Sequence, residues 1–284
     1  MKVNKIILSL GLWLLISSGI PAQNPIRLSV VTWGFRCPFD FLCETAKQNG
    51  VSSLELLPPE KWERAKQNGM QVLVANGADL GVERGFCNPD FHAQLQERYF
   101  RFIPKASEAG IKMIICYSGI KPDISSEEAM KYCVEGLKPV IRYAEKYGVT
   151  IVMELISSNL SNALWWQHTF PHYACDNIVW GKMLADKIDS PNFKLLYDIW
   201  QMNNMGADIV DDIQKYHPYI ALYHISGKDR KAISNTGGDI DYHAVFEAIR
   251  ATGYTGFIGI EYLIEKEIPE SIRSAVLLVN SAER

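Results

Sequence analysis

The chain has 284 residues, 48% of them hydrophobic and 21% charged, with a formal net charge of −3. That composition is ordinary for a globular protein with one large core and excludes a disordered chain. An acidic balance without a basic run gives no electrostatic footprint for nucleic acid and favours a small, neutral or metal-chelated partner.

The first segment stands apart. Lys2 and Lys5 precede an uncharged apolar run, Ile6 to Ile16, followed by the small residues Ser17, Ser18, Gly19, Pro21 and Ala22. This is the layout of a secretory signal, basic then apolar then small, and it predicts export to the periplasm or outside the cell with cleavage near Ala22. The apolar run is short of the roughly 20 residues a membrane span needs, so no stable membrane insertion is expected. Removing residues 1–22 leaves 262 of the 284 residues and takes the formal charge from −3 to −5. The remaining length matches the roughly 250 residues of one (β/α)8 barrel, so residues 23–284 are read as a single domain.

From Arg27 onward, short β-branched or apolar runs alternate with longer amphipathic stretches, the sequence form of repeated βα units around a parallel sheet. Eight strands are predicted, at 27–35, 52–57, 71–77, 112–119, 149–155, 193–199, 220–227 and 256–262. The longest helices are predicted over 89–110, 125–148 and 173–188, with Gly110, Gly148 and Gly253 marking helix ends. The expected fold class is α/β, a single (β/α)8 TIM barrel; an open doubly wound sheet is the alternative, but the first turn lacks a Gly-rich phosphate loop. The six cysteines, Cys37, Cys43, Cys87, Cys116, Cys133 and Cys175, form no C-x-x-C pair and read as buried thiols, although export would permit disulfides.

In such barrels the site forms where strands end. Strand five ends in Met-Glu154-Leu, strand six in Tyr-Asp198-Ile, strand seven in Tyr-His224-Ile and strand eight in Ile-Glu261-Tyr. Singly, each has a structural reading: a core histidine, a helix cap, a member of an ion pair. Together, three carboxylates at one mouth would raise one another's pKa unless a cation neutralises them. Oxygen-rich ligands with one imidazole favour Mn²⁺ or Mg²⁺, with Co²⁺ or Zn²⁺ also compatible.

The motifs Met-Glu154-Leu-Ile-Ser-Ser-Asn159, Leu-Tyr-Asp198-Ile-Trp-Gln-Met, Tyr-His224-Ile-Ser-Gly and Gly-Tyr-Thr-Gly-Phe-Ile-Gly-Ile-Glu261-Tyr resemble those of the hydroxypyruvate isomerases and, more broadly, of xylose isomerase-like barrels that include ketose 3-epimerases. The resemblance implies a metal held by Glu154, Asp198, His224 and Glu261, with Glu154 and Glu261 doubling as an acid–base pair that moves a proton between adjacent carbons through an enediolate. Two departures stand out. Gln201 occupies a position where many relatives carry a substrate-contacting His, and His224 matches the epimerase branch, where the isomerases carry Gln.

Candidate substrate contacts follow. Lys228 and Arg230, in Lys228-Asp229-Arg230-Lys231 after strand seven, supply cations beside the mouth, and Arg230 is suited to clamp a carboxylate or sugar oxygen. Gln201 can donate and accept hydrogen bonds. A long aromatic connection, Trp165-Trp166-Gln-His168-Thr-Phe170-Pro-His172-Tyr173, suits a sugar-binding lid, with His168 a candidate contact, or an interface such as that of a homo-oligomer. Trp33 on strand one and Glu55 on strand two also face the mouth; each has a structural reading, and Trp33 is kept as a candidate contact. The segment Thr236-Gly-Gly-Asp239-Ile-Asp241-Tyr reads as a cap on the next helix.

Four functions are therefore open: a metal-dependent isomerase of a small hydroxy-carbonyl compound, an exported ketose 3-epimerase or keto-sugar epimerase or lyase, a metal-dependent endonuclease, and a non-catalytic sugar-binding protein. Strands three and four end in Ala75-Asn76-Gly77 and Tyr117-Ser118-Gly119, without the extra histidines a multi-metal nuclease would need.

Overall fold

A computed structural model describes residues 26–159, 170–233 and 240–281. The signal-like residues 1–22, the aromatic segment with Trp165, Trp166 and His168, and Thr236 to Asp239 lie outside the described residues.

Eight parallel strands close into a barrel in sequence order. They are β1 (Arg27–Val31), β2 (Ser53–Leu57), β3 (Gln71–Ala75), β4 (Met113–Cys116), β5 (Thr150–Glu154), β6 (Phe193–Asp198), β7 (Ile220–Ile225) and β8 (Phe257–Ile260). Pairing of β1 with β8 closes the ring, with Leu28 opposite Ile258 and Val30 opposite Ile260. Helices α1 (Phe39–Gln48), α2 (Trp62–Gln67), α3 (His92–Glu108), α4 (Ser126–Lys146) and α5 (Ile178–Ile188) follow the first five strands in turn. Helices α6 (Ile199–Asn204) and α7 (Ile209–Tyr216) follow β6, α8 (Tyr242–Ala251) follows β7 and α9 (Ile268–Ser281) follows β8.

Local chemistry sets the helix limits. Ser125 and Glu128 form a reciprocal capping box that starts α4. Gly110 and Gly148 sit just past α3 and α4 at φ of 80° and 61°, where a side chain would be strained. The strands are shorter than their apolar runs at the C-terminal ends. In β1 the extended chain stops at Val31 because Thr32–Gly34 turn into a short 3-10 helix.

The period of two along each strand separates two cores. Leu54, Ile114, Met153, Tyr197, Tyr223 and Ile260 face the helices. Val31, Leu73, Ile115, Val152, Leu196 and Leu222 fill the barrel interior. Glu154, Asp198 and His224 each lie two residues beyond an interior residue on the same strand, so the pleat carries them onto an apolar floor. Shortening Ile115, fully buried in that floor, to Ala should lower the free energy of unfolding by about 2–5 kcal/mol in a denaturant titration.

Strand β2 breaks the alternation near the site. The register of β2 against β3 shifts between Leu54 and Glu55 and again between Glu55 and Leu57, and Leu56 takes φ 53°. A bulge re-aims side chains: Leu56 joins the interior cluster, and its neighbour Glu55 reaches His224 across the barrel. All six cysteines are free, Cys37 partly buried and the others buried, as the absence of paired spacing implied.

Candidate active site

Glu154, Asp198, His224 and Glu261 are brought together, with one ligand atom from each lying within 4.8 Å of the others. All four are buried, Asp198 and His224 completely. Their strand positions explain the convergence. Asp198 stands opposite His224 in the β6–β7 register, Glu154 ends β5, and the Glu261 amide continues the ladder by donating to Ile225 O at 3.0 Å.

Each side chain is fixed from several directions. Asp198 Oδ1 accepts from the Gln201 amide at 3.1 Å and caps α6. The helix-cap reading of this residue holds, and its other oxygen remains turned toward the cluster. Its Oδ2 lies 2.6 Å from Arg230 Nη1, yet is buried without an aligned hydrogen bond. Glu261 Oε2 accepts from the same Nη1 at 2.6 Å and lies 3.2 Å from His224 Nδ1. Glu261 Oε1 accepts from the Trp33 indole at 3.0 Å. On the other edge of the imidazole, Nε2 is 2.9 Å from Glu55 Oε2, and Ser29 Oγ donates to Glu55 Oε1.

The electrostatics are unbalanced. Four buried carboxylates, Glu55, Glu154, Asp198 and Glu261, share the site with one permanent cation, Arg230, and the imidazole. Burial and the nearby Glu261 push the Glu154 carboxyl up to about 8. Burial raises Asp198 to about 6 against the pull of Arg230. Burial acts on Glu261 in the same sense, but Arg230 and His224 outweigh it and hold that carboxyl well below the usual range. Burial would lower His224, whereas Glu261 and Glu55 carry it well above its ordinary value.

The donor set fits a divalent cation. Three carboxylates and one imidazole within bonding reach of one point are a mixed oxygen and nitrogen set. The carboxyls raised by burial and, less, by one another, and the unaligned Asp198 Oδ2, are what a cation at this point would relieve. Glu154, Asp198, His224 and Glu261 would hold such an ion.

The predicted substrate contacts divide. Trp33 is 52% exposed at the mouth, with its indole anchored on Glu261. Gln201 is half-buried, and its Oε1 accepts from the Ser157 amide at 3.0 Å, which ties the loop after β5 to α6. Lys228 is exposed on the turn after β7, outside the buried cluster. Arg230 differs from the expected open-loop clamp. It is 3% exposed, stacks 4.5 Å above the Trp200 ring, and directs Nη1 at Asp198 and Glu261. Two successive left-handed residues, Asp229 and Arg230, both at φ 58°, fold the turn inward.

Two residues were not picked out as site members. Tyr117, just past β4, is half-buried, and its phenol is raised well above its usual value by burial and by the nearby Glu154. Its position in Tyr117-Ser118-Gly119 at a strand end was the available signal. Glu55 was read as facing the mouth but structural; the contact that changes this reading is with His224, 169 residues away.

A closed parallel barrel with a buried carboxylate and imidazole cluster at its strand C-termini defines a (β/α)8 protein whose mouth could hold a metal ion. Residues 42–279 match the family model of the xylose isomerase-like TIM barrel, and the chain belongs to that family. It is 24% identical over 237 residues to the hydroxypyruvate isomerase of Escherichia coli (strain K12), covering 79% of this chain and 88% of that protein. Among solved structures, 3-keto-D-glucoside 4-epimerase from E. coli superposes with a TM-score of 0.73 at 15% identity, over 90% of this chain and 99% of the other. The IOLI protein with a bound zinc atom superposes with a TM-score of 0.68 at 17% identity, over 90% and 96% of the two chains.

Proposed function

We propose that this protein is a divalent-metal-dependent isomerase that moves a proton between adjacent carbons of a small hydroxy-carbonyl compound of the hydroxypyruvate type, through an enediolate. The observation that carries this reading is the buried convergence of Glu154, Asp198, His224 and Glu261 within 4.8 Å. The likeness to a hydroxypyruvate isomerase over most of both chains supports the isomerase class.

The residues divide the work by environment. Two carboxyls whose pKa values are driven apart supply distinct acid and base roles. Glu154, whose carboxyl is pushed up by burial and by Glu261 when no ion is bound, is the group that takes the proton from, or returns it to, the substrate carbon. Glu261 is kept ionised by Arg230 and His224, and its share in proton transfer is the second carboxylate position beside the reacting carbons. Arg230, stacked on Trp200, holds Glu261 and Asp198 in place. Gln201, steadied by Ser157, is placed to hydrogen-bond a substrate oxygen. A bound divalent ion, Mn²⁺ or Mg²⁺ by the carboxylate majority and Co²⁺ or Zn²⁺ as alternatives, would supply the positive charge against which oxyanion charge develops.

A second reading, an epimerase or lyase acting on a keto-sugar, is favoured by Trp33, whose half-exposed indole gives the mouth an aromatic face of the kind that stacks on sugar rings. Export through residues 1–22 would agree with that class of substrate. One experiment separates the two. Metal-loaded protein is incubated in D₂O with hydroxypyruvate, free ketoses and 3-keto-glycosides. Solvent deuterium entering hydroxypyruvate alone supports the first reading, and entry into a ketose or keto-glycoside supports the second. No exchange with any of them would reject proton-transfer catalysis on these classes and return a binding role to consideration.

A further inference from the structure

Glu55 is completely buried, and among the described residues its ion pair is with His224. A buried carboxylate costs several kcal/mol to desolvate unless its lone pairs are engaged, so its surroundings state what it is kept for. Oε2 lies 2.9 Å from His224 Nε2, and Oε1 accepts from Ser29 Oγ. The backbone is bent to bring it there: Glu55 sits between two register shifts in β2, next to Leu56 at φ 53°. The facing strand makes room for the pair. A Cβ on Gly259 would stand 2.6 Å from His224 Cδ2, 2.8 Å from Glu55 Oε1 and 2.9 Å from His224 Nε2, all too close for real contacts.

We propose that Glu55 is the positioning residue of the metal centre, a carboxylate on β2 that takes the Nε2 hydrogen of His224 and so presents the Nδ1 lone pair to the ion held with Glu154, Asp198 and Glu261. The proposal rests on the reading of that cluster as a metal site. The chemistry is direct: imidazole has two nitrogens, and the one that donates a hydrogen bond cannot ligate. Nδ1 is the nitrogen on the Glu261 side, 3.2 Å from Oε2. With Nε2 held by Glu55, the ring plane is set before an ion arrives, and Nδ1 is the nitrogen that gives up its hydrogen to the ion. A carboxylate partner also makes the ligating nitrogen more basic. Such partners are worth about 10–100-fold in metal affinity. Ser29 completes the arrangement by occupying the other Glu55 oxygen, which stops the carboxylate from rotating away.

The test is metal affinity, not turnover. Full-length chain is stripped with chelator, and Co²⁺ binding is measured by competition with a chromophoric chelator, together with the visible Co²⁺ absorption that reports ligand geometry. E55Q keeps the shape and an acceptor oxygen but removes the charge, and it should weaken Co²⁺ about 10–100-fold with an altered absorption spectrum. G259A leaves every charge in place, yet should weaken binding in the same direction by driving the His224 and Glu55 side chains apart. I115A is the control for a loosened barrel: it lowers the unfolding midpoint but removes no ligand and no charge, and leaves the Co²⁺ dissociation constant within about twofold. If E55Q is insoluble, G259A with restoration by no other change carries the same comparison. E55Q binding Co²⁺ as the parent does, with an unchanged spectrum, would overturn the positioning role while leaving the metal site intact. Failure of the parent chain to bind any divalent ion would overturn the metal reading and this role with it.

Discussion

Glu154→Gln should reduce solvent-deuterium exchange into the preferred substrate by about 10²–10⁴-fold in metal-loaded protein, the range a positioned general base contributes. Gln keeps the carbonyl oxygen and the size of Glu154 but cannot take up and release the transferred proton. The loss should fall on kcat rather than on KM, because the group acts on the reacting carbon and not on substrate affinity. Glu261→Gln should be at least as severe and should differ in character. Both carboxylates belong to the proposed ligand set, so each variant should lose metal affinity, and Glu261→Gln should also disturb its neighbours, because its Oε2 meets both Arg230 and His224 and its Oε1 meets Trp33. Undiminished exchange by both variants, with metal content verified, would remove both carboxyls from the proton-transfer step.

Stripping the divalent ion should abolish exchange, and its rebinding should depend steeply on pH. The sign follows from two raised carboxyls. Without an ion Glu154 retains its proton below about 8 and Asp198 below about 6, and His224, carried well above its ordinary value by Glu261 and Glu55, holds one as well. An ion must displace those protons before the oxygens can ligate. Apparent affinity should therefore fall by at least about tenfold for each pH unit below 8, and more steeply below 6, where the Asp198 proton is displaced in addition. Calorimetric titration in buffers of different ionisation enthalpy would count the protons released. A pH-independent affinity between 6 and 8 would mean that Glu154 is not displaced by the ion.

How much of this was legible in the sequence depends on which distances carry the information. The eight βα units were legible because period-two strands and glycine-terminated helices repeat locally, and Gly110 and Gly148 do end their helices. The quartet was legible because a carboxylate that interrupts an apolar strand at its C-terminal end has few other reasons to be there. Glu55 was not, because its partner is 169 residues away and a bulge in β2 departs from the alternation by which inward residues are read. Arg230 was found but misplaced. Its neighbours in sequence are charged and look solvated, whereas two left-handed residues and the Trp200 face turn it inward. The end of β1 was drawn too long for a similar reason, since nothing local in Thr32–Gly34 announces the turn that sets Trp33 over Glu261.

Asp198 serves two masters with its two oxygens, and that governs how its variants should be interpreted. One oxygen receives the amide of Gln201 at the start of α6, and the other faces the guanidinium of Arg230. Alanine at this position would strip the helix of its cap, at about 1 kcal/mol, and would let Gln201, a candidate substrate contact, drift along with α6. A kinetic defect in that variant would then mix a lost ligand with a displaced neighbour. Asparagine keeps an oxygen for the Gln201 amide and removes only the negative charge, so the difference between the two variants isolates what the geometry of α6 contributes from what the charge of Asp198 contributes.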